Sequence, residues 1–169
     1  MHVRNAALSW TQVVAAAILC ALAGGAAQAA PIKVEAVLSP KTESKMEFAD
    51  GSRRYLLMTQ REGKVDGNGP LAGANLVEWG THDVDPATGA HAGGYLVFTK
   101  PDGDIAYMRY QFRGVPVPGS DGKARFLANG FWETAGGTGK LKGLRGTGAL
   151  RFIPQERRIV LEGELVSAD

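Results

Sequence analysis

The sequence predicts an all-β protein, a single eight-stranded antiparallel barrel. Two observations carry this. Short runs with period-two apolar alternation recur between turn residues, and no long run places apolar residues at three-to-four spacing. Glycine is also heavy, with 23 in the chain and all but Gly24 and Gly25 lying beyond the first thirty residues. The usual share is about 7%, and no collagen-like period accompanies the excess, so these glycines mark turns and bulges.

The chain opens on a leader that is excluded from fold reasoning. Arg4 lies in a short positive start and Val13 to Leu22 is almost wholly apolar. Ala27-Gln28-Ala29 then supplies an A-x-A cleavage site. The apolar run falls short of the roughly 20 residues that span a bilayer. Residues 1–29 are therefore expected to be a secretory signal peptide, residues 30–169 a β-barrel domain, and the address periplasmic or secreted in a bacterium. Cys20, the only cysteine, lies inside the apolar run after Leu19, so lipidation is not expected and export removes it.

Residues 30–169 are one domain's worth of chain, enough for a core without staples. Across the whole sequence 19 Lys and Arg stand against 17 Asp and Glu. This near balance argues against nucleic acid, which would want a basic stripe, and against a polybasic membrane contact. No stable membrane anchor is expected.

The elements follow in order. Ile32, Val34, Ala36 and Leu38 alternate with Lys33, Glu35 and Val37 in a first strand, which Ser39-Pro40 ends. A short polar stretch with Met46 and Phe48 leads to an Asp50-Gly51 turn. Arg53 to Arg61 reads as the second strand. A loop from Gly63 to Gly73 follows, centred on Asp66-Gly67-Asn68-Gly69-Pro70. Leu76 to Val84, Gly94 to Thr99 and Ile105 to Arg113 are the next three strands. Turns at Asp85 to Gly89 and Pro101 to Asp104 separate them. After a loop with Pro116, Pro118 and Asp121-Gly122 come Ala124 to Thr134, Ala149 to Ile153 and Ile159 to Val166. Mostly short links favour a closed meander, which leaves no exposed edge; a two-sheet sandwich is the alternative.

Strand parity sorts side chains onto faces. One face of the Ile105 strand holds Tyr107, Arg109, Gln111 and Arg113, and the other holds Ala106, Met108, Tyr110 and Phe112. Phe131 and Glu133 share a mixed face of the Ala124 strand, and Trp79 lies on one of the Leu76 strand. Both faces thus carry apolar groups. One fills the barrel, and a subunit partner is the simple cover for the other; scattered exposed hydrophobes on a monomer are the alternative. Arg109 with Glu133, near Tyr107, Trp79, His82 and Phe131, is the candidate ligand-binding group. A charged pair in an aromatic setting would orient a carbonyl or carboxylate, or move a proton. The competing reading is a cross-strand ion pair that only stabilises the sheet.

Other chemistries find little support. His82, Asp83, Asp85 and His91 lack metal-ligand spacing, and turn chemistry accounts for Asp83 and Asp85, so neither metal nor other cofactor is expected. Asp102-Gly103-Asp104 lacks the remaining ligands of a calcium loop. There is no G-x-S-x-G elbow for a hydrolase.

The densest motif lies between Gly136 and Gly148, where Gly136, Gly137, Gly139, Gly143, Gly146 and Gly148 stand within thirteen residues. It is no phosphate loop, since Leu141 sits where the second glycine belongs. It is expected to be a structural strand crossover. Leu141 and Leu144 would plug one barrel end while Lys140, Lys142 and Arg145 stay wet. Gly136-Gly137-Thr138-Gly139-Lys140-Leu141, leading to Arg145-Gly146, resembles the signature near the C-terminal end of dirigent proteins and of allene oxide cyclase-like barrels. Leu141 replaces the usual aromatic and Gly143-Leu144 departs from the dirigent wording, which favours the wider superfamily over the plant branch. The resemblance implies an eight-stranded antiparallel barrel with a central cavity, often a homodimer or homotrimer, that binds small, mainly apolar molecules. Some members guide cyclisation or radical coupling. No catalytic position carries over.

Three functions follow as expectations: a barrel holding a small hydrophobic or aromatic ligand; a cyclase or isomerase using Arg109, Glu133 and Tyr107; and a solidly filled interaction module.

Overall fold

The computed structural model describes residues 28–119 and 121–167. The expected signal peptide lies outside the described residues, apart from Gln28 and Ala29. Ten strands make up one antiparallel sheet: β1 (Ala30–Val37), β2 (Ser39–Glu47), β3 (Tyr55–Lys64), β4 (Asp66–Gly67), β5 (Asn75–Asp85), β6 (Gly89–Thr99), β7 (Ile105–Pro118), β8 (Ala124–Gly137), β9 (Arg145–Ile153) and β10 (Arg158–Val166). Two single turns of 3-10 helix, Gly139–Leu141 and Pro154–Glu156, are the only helical pieces among the described residues. The all-β class expected from the alternation is the one observed.

The sheet order is β2-β3-β5-β6-β7-β8-β9-β10-β1-β4. The strongly curled sheet brings its two ends close through the chain itself. Only Leu38 separates β1 from β2, and only Val65 separates β3 from β4. The β1–β4 pairs, Val34–Gly67 and Glu35–Asp66, continue the register that Ser39–Glu62 sets between β2 and β3. Two stretches that read as turn and loop in sequence are therefore strand. Ser39 to Glu47 carries no buried residue, so its pattern gives no alternation to detect. Its pairing with β3 shifts register between Pro40 and Thr42, where proline removes a ladder donor.

Burial alternates along the strands as parity requires. In β7, Ala106, Met108, Tyr110, Phe112 and Gly114 point inward. Ile32, Val34 and Ala36 of β1, Leu76 of β5, Leu96 and Phe98 of β6, and Leu150 of β9 join them in one core. The middle of the interior, where the resemblance implies a cavity, holds the fully buried Phe98, Tyr110 and Trp132.

The two ends differ. The β4–β5, β6–β7 and β8–β9 connections share one end, where Leu71, Ala74, Leu141 and Leu144 are buried. The glycine stretch joins β8 to its direct neighbour β9, so it is a connection within a hairpin and does not cross the sheet. Gly136 and Gly137 end β8, Gly139 opens the 3-10 turn, Gly143 follows it, and Gly146 and Gly148 lie inside β9. Leu141 and Leu144 are buried while Lys140, Lys142 and Arg145 are exposed. Burying a leucine of this kind stabilises by about 1.5–3 kcal/mol. The turn is tied to the β6–β7 connection. Thr138 N–H donates to Ile105 O at 2.8 Å, Ile105 N–H to Thr138 Oγ1 at 2.9 Å, and Lys140 N–H to Asp104 Oδ2 at 2.9 Å. Gly139 has φ +50°, and a side chain there would overlap Asp104.

Candidate functional site

The opposite end carries the polar chemistry. Glu78, on the inward parity of β5, is 2% exposed. A lone carboxylate there is costly unless partnered. Its partners come from three strands. The Tyr110 hydroxyl on β7 donates to Glu78 Oε1 at 2.5 Å. His82, two inward positions further along β5 beyond Gly80, places Nε2 3.4 Å from the same oxygen. Arg61 on β3 brings Nη1 to 3.6 Å from Oε2. The last two lie beyond a well-formed hydrogen bond, and both Glu78 Oε2 and His82 Nε2 are buried without a hydrogen-bond partner. Gly80 makes the arrangement reachable, because a side chain there would overlap the Tyr110 hydroxyl.

Electrostatics follow from this packing. Burial pushes the Glu78 carboxyl up, but His82, the Arg61 charge and the Tyr110 hydroxyl outweigh it and hold the group below its ordinary range. Burial, then the Glu78 charge and hydrogen bond, push the Tyr110 phenol far up, so it stays a neutral donor. The result is an ionised carboxylate held inside a largely apolar interior.

An aromatic column leads from this group to the sheet's open end. Tyr110 stacks on Phe112 at 6.1 Å between ring centres, and Phe112 stacks on Phe152 at 5.7 Å. His82 meets Phe112 edge-on at 5.7 Å, and the Arg61 guanidinium lies 5.7 Å above the Phe152 ring. Outside Arg61 a mouth of about 230 Å³ opens, walled by Leu38, Pro40, Phe152 and Pro154 and lined also by the charged Glu43 and Arg157. Arg61 thus separates the mouth from Glu78. Its side chain is 13% exposed, and the long contact to Glu78 leaves its donor fork available to an acceptor entering from outside.

The residues singled out from sequence are placed as follows. His82 is inside, in the cluster just described. Trp79, Tyr107 and Phe131 are on the outer face, exposed by 55%, 37% and 47%. Arg109 and Glu133 are also outward, paired across β7 and β8 with Arg109 Nε donating to Glu133 Oε1 at 2.8 Å. That pair lies opposite Tyr95, on the far side of the sheet from Glu78. Sequence reasoning missed Arg61, Glu78 and Tyr110. The available clue was Glu78 itself, a charge sharing a strand face with Leu76. Among the described residues no group of three or more His, Cys, Asp or Glu is placed to hold a metal ion.

No family model matches the chain, and no curated protein matches it. A crystal structure of a protein with unknown function from Clostridium acetobutylicum ATCC 824 is similar, with 14% sequence identity and a TM-score of 0.44. The likeness covers 83% of this chain and 99% of that chain.

Proposed function

We propose that this protein is an exported barrel that binds a small, mainly apolar or aromatic molecule at its open end. Arg61 supplies the polar anchor for a carbonyl or carboxylate on that molecule. The observation that carries the reading is Arg61 itself. It is mostly buried, it stacks on Phe152, and it makes only a long contact to Glu78 at the floor of an apolar mouth. A concave wall of apolar side chains with a few convergent polar groups, here Arg61 with Arg157 and Glu43, is the usual form of a small-molecule site. In the same reading, β1 with β2 counts as one bent strand and β3 with β4 as another, so the sheet is an eight-stranded barrel closed along the shared hairpin register. That architecture and the glycine motif together support membership of the allene oxide cyclase-like superfamily, and the leader supports a periplasmic or secreted address.

The test is calorimetric titration of the protein with aromatic and alicyclic carboxylic acids and ketones. Binding by wild type is expected to weaken about tenfold or more in Arg61→Lys, which keeps the charge and loses the planar fork. Phe152→Leu is expected to weaken it through lost stacking. Equal affinity in wild type and both variants would overturn the reading. A cyclase or isomerase on the same scaffold differs in one respect: Glu78→Gln would abolish turnover while leaving ligand affinity measurable.

A further inference from the structure

One long strand edge is left open. β1 and β2 run on as one bent strand through Leu38, but their neighbours differ. β1 lies between β10 and β4. β10 begins at Arg158, opposite Val37, and Leu38 N–H donates to Arg157 O at 2.8 Å, where the 3-10 turn Pro154–Glu156 leads the chain away. β2 therefore runs past the end of β10. It pairs with β3 on one side and, among the described residues, with no strand on the other. All nine of its residues are exposed. Phe48 N–H donates to Arg54 O at 2.9 Å, continuing the β2–β3 register. Antiparallel pairs alternate between bonded and non-bonded. Thr42, Ser44 and Met46 thus turn their backbone groups to β3, while Glu43, Lys45 and Glu47 present theirs at the open edge.

An open edge templates another strand, and its side chains select which one. Lys41, Glu43, Lys45 and Glu47 alternate in sign. Antiparallel pairing of β2 with itself, centred on Ser44, sets Lys41 opposite Glu47 of the partner subunit and Glu43 opposite the partner's Lys45. Symmetry repeats both, so every one of these charges meets its opposite. The same register sets the edge-directed backbone groups of Glu43 against those of the partner's Lys45, so ladder bonds form where the charges match. Sliding by two residues keeps the ladder but opposes Glu43 to the partner's Glu43 in one direction, or Lys45 to the partner's Lys45 in the other, and like charges directly opposite are destabilising. Within one copy these charges have only exposed partners: Lys45 holds Glu47 at 2.5 Å and Lys41 reaches Glu62 at 3.5 Å. Such pairs contribute little and are easily shared. The assembly is also finite. The other terminal strand, β4, is two residues long, so an isologous pair uses the one long edge of each copy and leaves none for a third. From these features we infer that the protein forms a two-fold dimer in which β2 pairs antiparallel with β2 of a second copy about Ser44, joining two curled sheets into one.

Sedimentation velocity from micromolar to millimolar protein is expected to show a monomer–dimer equilibrium that goes no further. Hydrogen exchange at the backbone amides of Glu43, Lys45 and Glu47 should slow as concentration rises, while those of Thr42, Ser44 and Met46 stay protected throughout by β3. Lys45→Glu places acids opposite each other on both sides of the axis and is expected to weaken the dimer about tenfold or more. Adding Glu43→Lys exchanges the two charges and is expected to restore association, a rescue that a merely damaged fold would not show. Four results would each overturn the inference: a monomer at millimolar concentration, a dimer whose Glu43 and Lys45 amides exchange as fast as in dilute protein, a double variant no more associated than Lys45→Glu alone, or growth into assemblies larger than a dimer.

Discussion

Glu78 is the residue on which the interior depends, and its partners make its behaviour specific. Its folded-state carboxyl titrates below the ordinary glutamate value of about 4.3. A depressed folded value means that the unfolded chain binds the proton more readily. The stabilisation is thus present above that value and lost as pH falls below it. Thermal unfolding followed from pH 7 to pH 3 should show wild type losing stability below about 4.3. Glu78→Gln should lose less over that interval, because the groups facing position 78 (Arg61, His82 and Tyr110) no longer gain or lose a charged partner. A parallel loss in both proteins would assign the acid sensitivity to surface carboxylates such as Asp83 and Asp102. Tyr110→Phe removes the one short hydrogen bond to a buried carboxylate. It should cost about 1–3 kcal/mol in denaturant unfolding. Arg109→Ala, at an exposed pair, should cost no more than about 1 kcal/mol.

Among the elements, the Gly136–Gly148 connection is where sequence reading was most informative. Paired leucines three apart, with cations between and after them, gave the buried and wet sides of the end plug directly. Its topology was not legible in the same way. Nothing in a glycine run says whether the strands it joins are neighbours, since that depends on the register of Trp132 with Gly148 and Glu133 with Thr147. Gly139→Val should destabilise through backbone strain at φ +50° and overlap with Asp104, and urea unfolding should show a loss well above 1 kcal/mol. Leu141→Ala in the same connection should cost about 2–5 kcal/mol, while Lys142→Ala should stay within about 0.5 kcal/mol. Near-wild-type stability in Gly139→Val would mean that the turn does not hold this end. The β2 strand shows the opposite limit. All its side chains are exposed, so it carries no burial period, and only its pairing with β3 reveals it.

At the scale of the whole molecule, parity told which residues share a face but not which face turns inward. Tyr107, Arg109 and Trp79 mix polar and aromatic character as a cavity wall does, and so does an outer face of a barrel. The choice is made by volume. Met108, Tyr110, Phe112, Leu96 and Trp132 together exclude the alternative set from the interior. Arg61 stands directly opposite Glu78 in the β3–β5 ladder, His82 lies on the same face of β5, and Tyr110 reaches Glu78 from β7, a strand register that no local spacing encodes. The consequence is a division of labour. One end is sealed by Leu71, Leu141 and Leu144, and the other holds the charged cluster beneath an apolar mouth. The most direct measurement of that claim is a map of backbone amide shifts by NMR during titration with an aromatic carboxylic acid. The expected result is a set of perturbations centred on Leu38 to Glu43, Arg61 and Phe152 to Arg157, with the Leu141–Leu144 end unmoved. Perturbations centred on Trp79, Arg109 and Glu133, or at the sealed end, would contradict the placement of the site.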